Sequence, residues 1–507
     1  MKRKTAFFSK TNGRMFLLFA VCAAVNFIAL QRYANASDMN IGRSFFVAVC
    51  VIGSIALAVF FILINRAVKK NFSVRKLFLL IVLPMGLIML LLIPIGCVPD
   101  ENVHFYRAYE ISEGYLISDV NEQGIAGRYL PSDTTALFDS SDGSVSYSEL
   151  FSKISLHTAD DLTFVQFPNA ALYSFISYLP QAIGIAVARL LHLPTLLIAY
   201  FGRLANFAFF LWGLSFSLAK IPNKKYSLLL ICMIPIMLQQ AVSLSADTMT
   251  ITLTMIFVSS LFELKHTEDK SLRFRDILLI GALSVGIACC KTVYFPLCFL
   301  VFLIPSERFG SMKKYIVLPI IIGLSALVGF CWVVHAASYI TEFRSGVDVT
   351  SQIVWISVHP FRFLTVLLRT AIQGFPYYFF GLFGQALCLY DVVLSWKYLL
   401  VAFSVLAATV ISEEAVFKKN SDKIGVVLII LFVIGLIFSA LYIQWTPVAS
   451  NLIEGVQGRY FLPLLLPIAG LFGKWGKISV DHIFRYAAAI YVSLDVYAFS
   501  IILFAHL

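Results

Sequence analysis

The chain has 507 residues, of which 60% are hydrophobic, 15% aromatic and only 13% charged. Soluble domains carry roughly 25% charged residues, so about half of the usual solubilising surface is missing. A mean hydropathy of +0.86 and many apolar runs of about 20 residues point to a polytopic membrane protein and exclude a soluble enzyme, a secreted disulfide scaffold and a nucleic-acid-binding domain.

At the N-terminus Lys2, Arg3, Lys4, Lys10 and Arg14 precede an apolar run over 15–30. Basic flanks stay cytoplasmic, so this run leads outward. Ala34-Asn35-Ala36 resembles a signal cleavage site, but the run is long for a signal peptide and reads as an uncleaved first span. Spans over 45–64 and 76–96 follow, joined by a linker holding Arg66, Lys69, Lys70, Arg75 and Lys76. The third span therefore delivers the chain to the outer face at Pro99.

Further spans are expected at 194–219, 226–242, 246–264, 277–290, 294–304, 315–335, 392–411, 424–442, 460–472 and 484–507. Basic patches separate them at 220–225, 266–275, 308–314, 418–423 and 474–477. All five patches can be cytoplasmic only if the interrupted apolar stretches 168–191 and 361–383 do not cross. Those two read as re-entrant or interfacial elements, which need protein or water around their backbone. The expected architecture is an all-α polytopic membrane protein of about thirteen transmembrane helices, N-terminus inside and C-terminus outside. It divides into N-terminal transmembrane helices (1–97), an outer loop with re-entrant or interfacial helices (98–191) and a transmembrane bundle (192–507).

Residues 99–167 form a long acidic first outer loop, with twelve acidic and three basic residues. This segment is −9 while the rest of the chain is +20, so the basic excess belongs to membrane topology rather than to nucleic acid. A loop of this length with aromatics and a helical run over 101–115 reads as folded and functional. The nine cysteines lie in or beside apolar segments, with none in this loop. They read as small buried hydrophobes.

The densest group of reactive side chains is Pro99-Asp100-Glu101-Asn102-Val103-His104-Phe105-Tyr106-Arg107, where the third span leaves the membrane. Pro99 suits the first helical position, with Asp100 and Glu101 in the first turn. Helical spacing puts Asp100, His104 and Arg107 on one face, with Glu101 beside His104. At a lipid boundary, this set suits sugar transfer from a polyprenyl-phosphate carrier. The phosphate is already a good leaving group, and the acceptor hydroxyl needs one carboxylate base. Glycoside hydrolysis would instead call for a paired acid and base. Arg107 can hold a phosphate. Asp100 or Glu101 with His104 is also the beginning of a divalent-cation site.

Other polar groups fall on the same outer side. Asp247 opens a span after Gln239-Gln240 and Ser243-Leu244-Ser245, as a ligand group or simply an N-cap. Gln457, Arg459 and Tyr460 precede another span, and Arg459 suits either a phosphate or the interface itself. Lys291 reads as a span-end anchor. Arg203 lies inside a span near Asn206, and an intramembrane charge is a functional candidate by default.

The stretch Pro99–Gly114, which reads P-D-E-x-x-H-F-x-R-A-Y-x-I-S-E-G, the Q-x-x-S-x-S-A-D run ending at Asp247 and the Q-G-R-Y-F-L-P run 457–463 together resemble a bacterial membrane-protein family catalogued as domain of unknown function 2142. The runs 178–182 and 203–206 are similar to it as well, and the resemblance covers roughly 80–473. That family resembles the GT-C glycosyltransferases, with many spans and an acidic residue in the first outer loop as base. The resemblance implies Asp100 or Glu101 as that base. It also implies a polyprenyl-phosphate-linked sugar as donor, a cell-envelope glycan as acceptor, and a site outside the bacterial cytoplasmic membrane. A transporter or flippase of lipid-linked saccharides is the alternative, and it would use a charged path along Arg203, Arg369 and Asp495. A non-catalytic partner in envelope assembly is a third.

Overall fold

The computed structural model describes the chain except residues 1, 37–40, 140–144, 157–159, 267–271, 341–343 and 475–478, together with the side chains of 2–11. The basic patches at 266–275 and 474–477 therefore lie partly outside the described residues.

The protein is an all-α bundle with two small sheets. Helices α1 (Lys2–Ala36), α2 (Arg43–Lys69) and α3 (Val74–Leu92) come first. Segment 99–167 then folds as α4 (Glu101–Ser112), strands β1 (Asp119–Val120) and β2 (Ala126–Pro131), the short helices α5 (Asp133–Ala136) and α6 (Tyr147–Ser152), and β3 (Leu162–Gln166). The three strands pair in the antiparallel order β1-β2-β3. This sheet is absent from the sequence expectation because two- to six-residue strands leave almost no alternating pattern.

Next come α7 (Pro168–Ala171), α8 (Leu179–Leu190), α9 (Thr195–Lys220), α10 (Lys225–Cys232), α11 (Pro235–Ala241), α12 (Asp247–His266) and α13 (Phe274–Cys290). A twelve-residue 3₁₀ helix, Thr292–Leu303, follows. The chain continues through α14 (Met312–Ala336), α15 (Val349–Val358), α16 (Pro360–Leu382), the two-residue strands β4 (Ala386–Leu387) and β5 (Val392–Val393), and α17 (Trp396–Ser412). It closes with α18 (Asn420–Gln444), α19 (Leu465–Leu471) and α20 (Val480–Ala505). Every cysteine is a free thiol, and seven of the nine are buried.

Eight described helices are long and apolar enough to cross a membrane, or nine if the pair α15–α16, bent by 108°, is one span. The thirteen expected spans thus resolve into fewer long helices plus shorter apolar ones. The run expected at 226–242 breaks into α10 and α11 at Pro235, which cannot donate a backbone bond. The run at 294–304 is wound as 3₁₀ helix, whose rise of about 2.0 Å per residue lets twelve residues reach about 24 Å. Stretch 168–191 is indeed interrupted, as α7, a 3₁₀ turn at Phe175–Tyr178, and α8. Stretch 361–383 is α16, set at a sharp angle to α15.

Basic side chains collect at one end of the bundle. Lys220 pairs with Glu263 and Lys265 with Asp422, while Tyr226 donates to Asp481. At the opposite end α20 finishes against the acidic segment, where the His506 carbonyl accepts from the Tyr147 N–H and Tyr147 Oη reaches the Leu92 carbonyl at the end of α3. The acidic segment is thus docked on the bundle.

Helices α8 and α9 pack backbone to backbone at Gly184. A Cβ there would fall 2.3 Å from the Phe201 carbonyl oxygen and 2.7 Å from Ala205 Cβ. Small residues allow this approach where lipid gives helices no hydrophobic reason to associate. Gly184→Val is expected to cost at least about 1–3 kcal/mol, visible as a lower unfolding temperature in detergent. Gly13→Ala, inside α1 with open space around it, does not lower that temperature.

Candidate functional site

The site is built where α3 ends, α4 begins and three later segments arrive. After α3 the chain turns through 93–100, and Asp100 caps α4 from a left-handed conformation, φ 64°. Asp tolerates this region better than most residues, and such strain tends to persist at functional positions. Pro99 is therefore outside the helix rather than in its first turn. The two neighbouring carboxylates then point to different places.

Glu101 turns inward and is fully buried. Its Oε1 accepts from Arg203 Nε at 2.8 Å and from the Leu244 N–H at 3.2 Å. Its Oε2 accepts from Arg203 Nη2 at 2.6 Å and from the Gly96 N–H at 2.9 Å. Arg203 spends its remaining donors on the Ile93 and Pro94 carbonyls. Both charges are consumed by each other and by backbone, so neither is open to a substrate. Asn206, one turn on, holds the Ser243 carbonyl at 2.7 Å and fixes the loop before α12.

Asp100 faces the other way. Its side chain is 50% exposed and meets Arg459 Nη2 at 3.5 Å. Arg459 Nε lies 3.8 Å from Asp247 Oδ2, and Asp247 Oδ1 accepts from Lys291 Nζ. Asp247 is the first residue of α12 rather than the residue before it, and its carboxylate goes to Lys291 and Arg459. Arg459 is buried, and its Nε and Nη1 have no hydrogen-bond partner among the described residues. An unsatisfied buried guanidinium is costly, and two donors left without a hydrogen bond suit anionic oxygens.

Tyrosines wall the cluster. Lys291 Nζ stands 5.1 Å from both the Tyr173 and the Tyr460 ring centroids, within cation–π range. Tyr294 Oη donates to the Tyr460 carbonyl at 2.8 Å. His104 Nδ1 and Tyr178 Oη are 2.7 Å apart. Burial lowers the His104 pKa to about 4, outweighing the pull of Asp100 and Asp247 toward the charged form. For Lys291, burial opposes the charge, but Asp247 and the surrounding tyrosines more than offset it and raise the pKa.

Arg107 does not join this cluster. Its guanidinium is buried against Glu110 and the Leu116 carbonyl, and Glu110 also takes Arg128 at 2.7 Å. The expected common face of Asp100, His104 and Arg107 is thereby split, because α4 is buried on most sides and Glu110 offers Arg107 a closer charge. The beginnings of a divalent-cation site are also dispersed. Glu101 is occupied, Arg459 stands between Asp100 and Asp247, and no three potential ligands cluster among the described residues.

Gln457 and Arg459 line a cavity of about 250 Å³ together with Pro99, Gln239, Tyr377 and Tyr390. Lys291, Tyr173, Tyr178 and Tyr294 are site residues that spacing did not single out. A lysine behind Cys289-Cys290 carries the same pattern as an interfacial anchor, and only the arrival of Asp247 separates the two.

The chain belongs to the family described as predicted membrane protein (DUF2142). The match runs over residues 83–468 and takes in every segment of the cluster. No curated protein and no solved structure matches the chain.

Two predictions follow from this geometry. Glu101→Gln and Arg203→Met each strand a buried partner and should cost about 3–5 kcal/mol; in a double-mutant cycle of detergent unfolding, the combined variant should lose clearly less than the sum. His104 carries a folded-state pKa of about 4 against an ordinary 6.5, so the unfolded chain binds the extra proton. Its contribution is complete above pH 6.5 and is lost as pH falls toward 4. His104→Gln should flatten that part of the stability–pH curve.

Proposed function

We propose that this protein is a membrane glycosyltransferase that takes a sugar from a polyprenyl-phosphate donor and passes it to a cell-envelope glycan. In this reading the site faces outward from the cytoplasmic membrane of a bacterium, with the N-terminus inside. The gathering of basic linkers at the far end of the bundle supports that orientation.

One observation carries the reading: a half-exposed carboxylate on Asp100 stands beside a buried Arg459, two of whose donors have no hydrogen bond among the described residues. The pairing supplies a base beside a phosphate-binding guanidinium. Asp100 takes the proton from the acceptor hydroxyl while that oxygen bonds to the anomeric carbon. The bond from the anomeric carbon to the phosphate oxygen breaks, and the phosphate leaves with the electron pair. Arg459 and Lys291 balance the charge that gathers there, in surroundings where water would screen it little. Asp247 sets the position of both cations, and Gln457 and Tyr460 border the space for the sugar. His104, neutral and paired with Tyr178, is a positioning residue behind Asp100. The released proton leaves Asp100 for solvent.

A transport path is less well supported. Arg203 is locked by Glu101, and Arg369 is exposed on α16.

Asp100→Asn should lower transfer from a polyprenyl-phosphate hexose to an envelope glycan by about 10²–10⁴-fold, with the unfolding temperature unchanged. Full activity in that variant would refute Asp100 as the base.

A further inference from the structure

The 250 Å³ cavity at Arg459 does not end at the polar residues. Gln385 and Val393, the latter on β5, line it, and the same two residues line a second, larger hollow of about 900 Å³. The second hollow runs between α1, α17 and α20. Its volume sits at the upper end of the range of about 300–1,000 Å³ usual for ligand cavities, and its walls are mainly apolar.

One wall is a continuous stripe of α1, from Leu18 through Val21, Val25 and Ile28 to Arg32. Val21, Val25 and Ile28 are about half exposed, so the hollow opens sideways toward the region that lipid would fill. The opposite wall is firm, with the rings of Tyr398 and Tyr497 stacked 4.6 Å apart.

Charge is placed at one end only. Lys397 is the second residue of α17, directly after the β5 strand that borders the Arg459 cavity. Arg32 lies in the last turns of α1, and both line the hollow beside Gln385 and Val393. These cations stand at the end of the bundle away from the basic linkers. That position argues for an anionic partner rather than for topology.

We infer that the groove between α1, α17 and α20 holds the isoprenoid tail of the donor lipid. The phosphate end passes Arg32, Lys397 and Gln385 into the cavity at Arg459. This rests on the transferase reading and names where its donor lies. An ordinary phospholipid would fill the groove alone; a carrier whose phosphate must reach Arg459 also needs the adjoining cavity that shares Gln385 and Val393 with it. Tail burial supplies affinity through apolar area, and the cations favour the singly tailed phosphate over neutral lipids.

The test is photolabelling of the full chain in nanodiscs with a photoactivatable polyprenyl phosphate. Labelled peptides should come from α1, α17 and α20, and excess unlabelled polyprenyl phosphate should abolish them where phosphatidylglycerol does not. Val21→Trp or Val25→Trp, which fill the groove from its open side, should weaken probe binding about tenfold with the unfolding temperature kept. Equal competition by phosphatidylglycerol, labelling elsewhere, or unchanged binding in both folded variants would overturn the groove assignment. Labelling as expected without sugar transfer from any polyprenyl-phosphate hexose would retain the groove and remove the transferase reading. Transfer without labelling here would do the reverse.

Discussion

The buried ion pair between Glu101 and Arg203 is the constraint on which the site depends. It ties the start of α4 to the middle of α9, and through Gly96, Ile93 and Pro94 it ties both to the end of α3. Through the Leu244 N–H it also reaches the loop before α12. A buried pair of this kind is weak evidence for stability on its own, since desolvation offsets much of the attraction. Here every remaining polar atom of the pair is met by backbone, and the product is positional. With Glu101 held inward, Asp100 is left at the turn with its carboxylate outward.

The two acids then differ by environment rather than by chemistry. Glu101 is saturated, whereas Asp100 is half exposed and only loosely engaged by Arg459. Asp247 lies between these extremes, sharing its charge between Lys291 and Arg459. Two cations and two acids with several tyrosines can coexist in a space this poor in water because each charge has an opposite neighbour. Arg459 has two such neighbours and still keeps donors without a hydrogen bond among the described residues, and that surplus draws an anionic ligand into the reading.

Much of the fold was legible in the chain. The length of the apolar runs and the placing of basic linkers anticipated the long helices and the separation of charge between the two ends. Broken and wound segments were harder. Residues 226–242 and 294–304 have the composition of spans, but Pro235 splits the first and the second is a 3₁₀ helix. The small sheet in the acidic segment left no periodic mark. In the site, the motif residues Asp100, His104, Asp247 and Arg459 were visible as motif members and do converge. Arg107 was drawn to the wrong neighbours, since helical spacing says which residues share a face but not what covers it.

By itself the sequence determined the solvent: so apolar a chain, with most of its cations gathered in short linkers, has no stable arrangement other than a multi-helix bundle in lipid. It also determined that acidic and aromatic side chains gather where the third span emerges. Only the tertiary structure decided which of Asp100 and Glu101, adjacent residues of like chemistry, is buried and which is left half exposed. The choice lies with Arg203, a side chain in the middle of another helix. In a medium of low dielectric, whichever carboxylate meets that guanidinium is withdrawn from any other role.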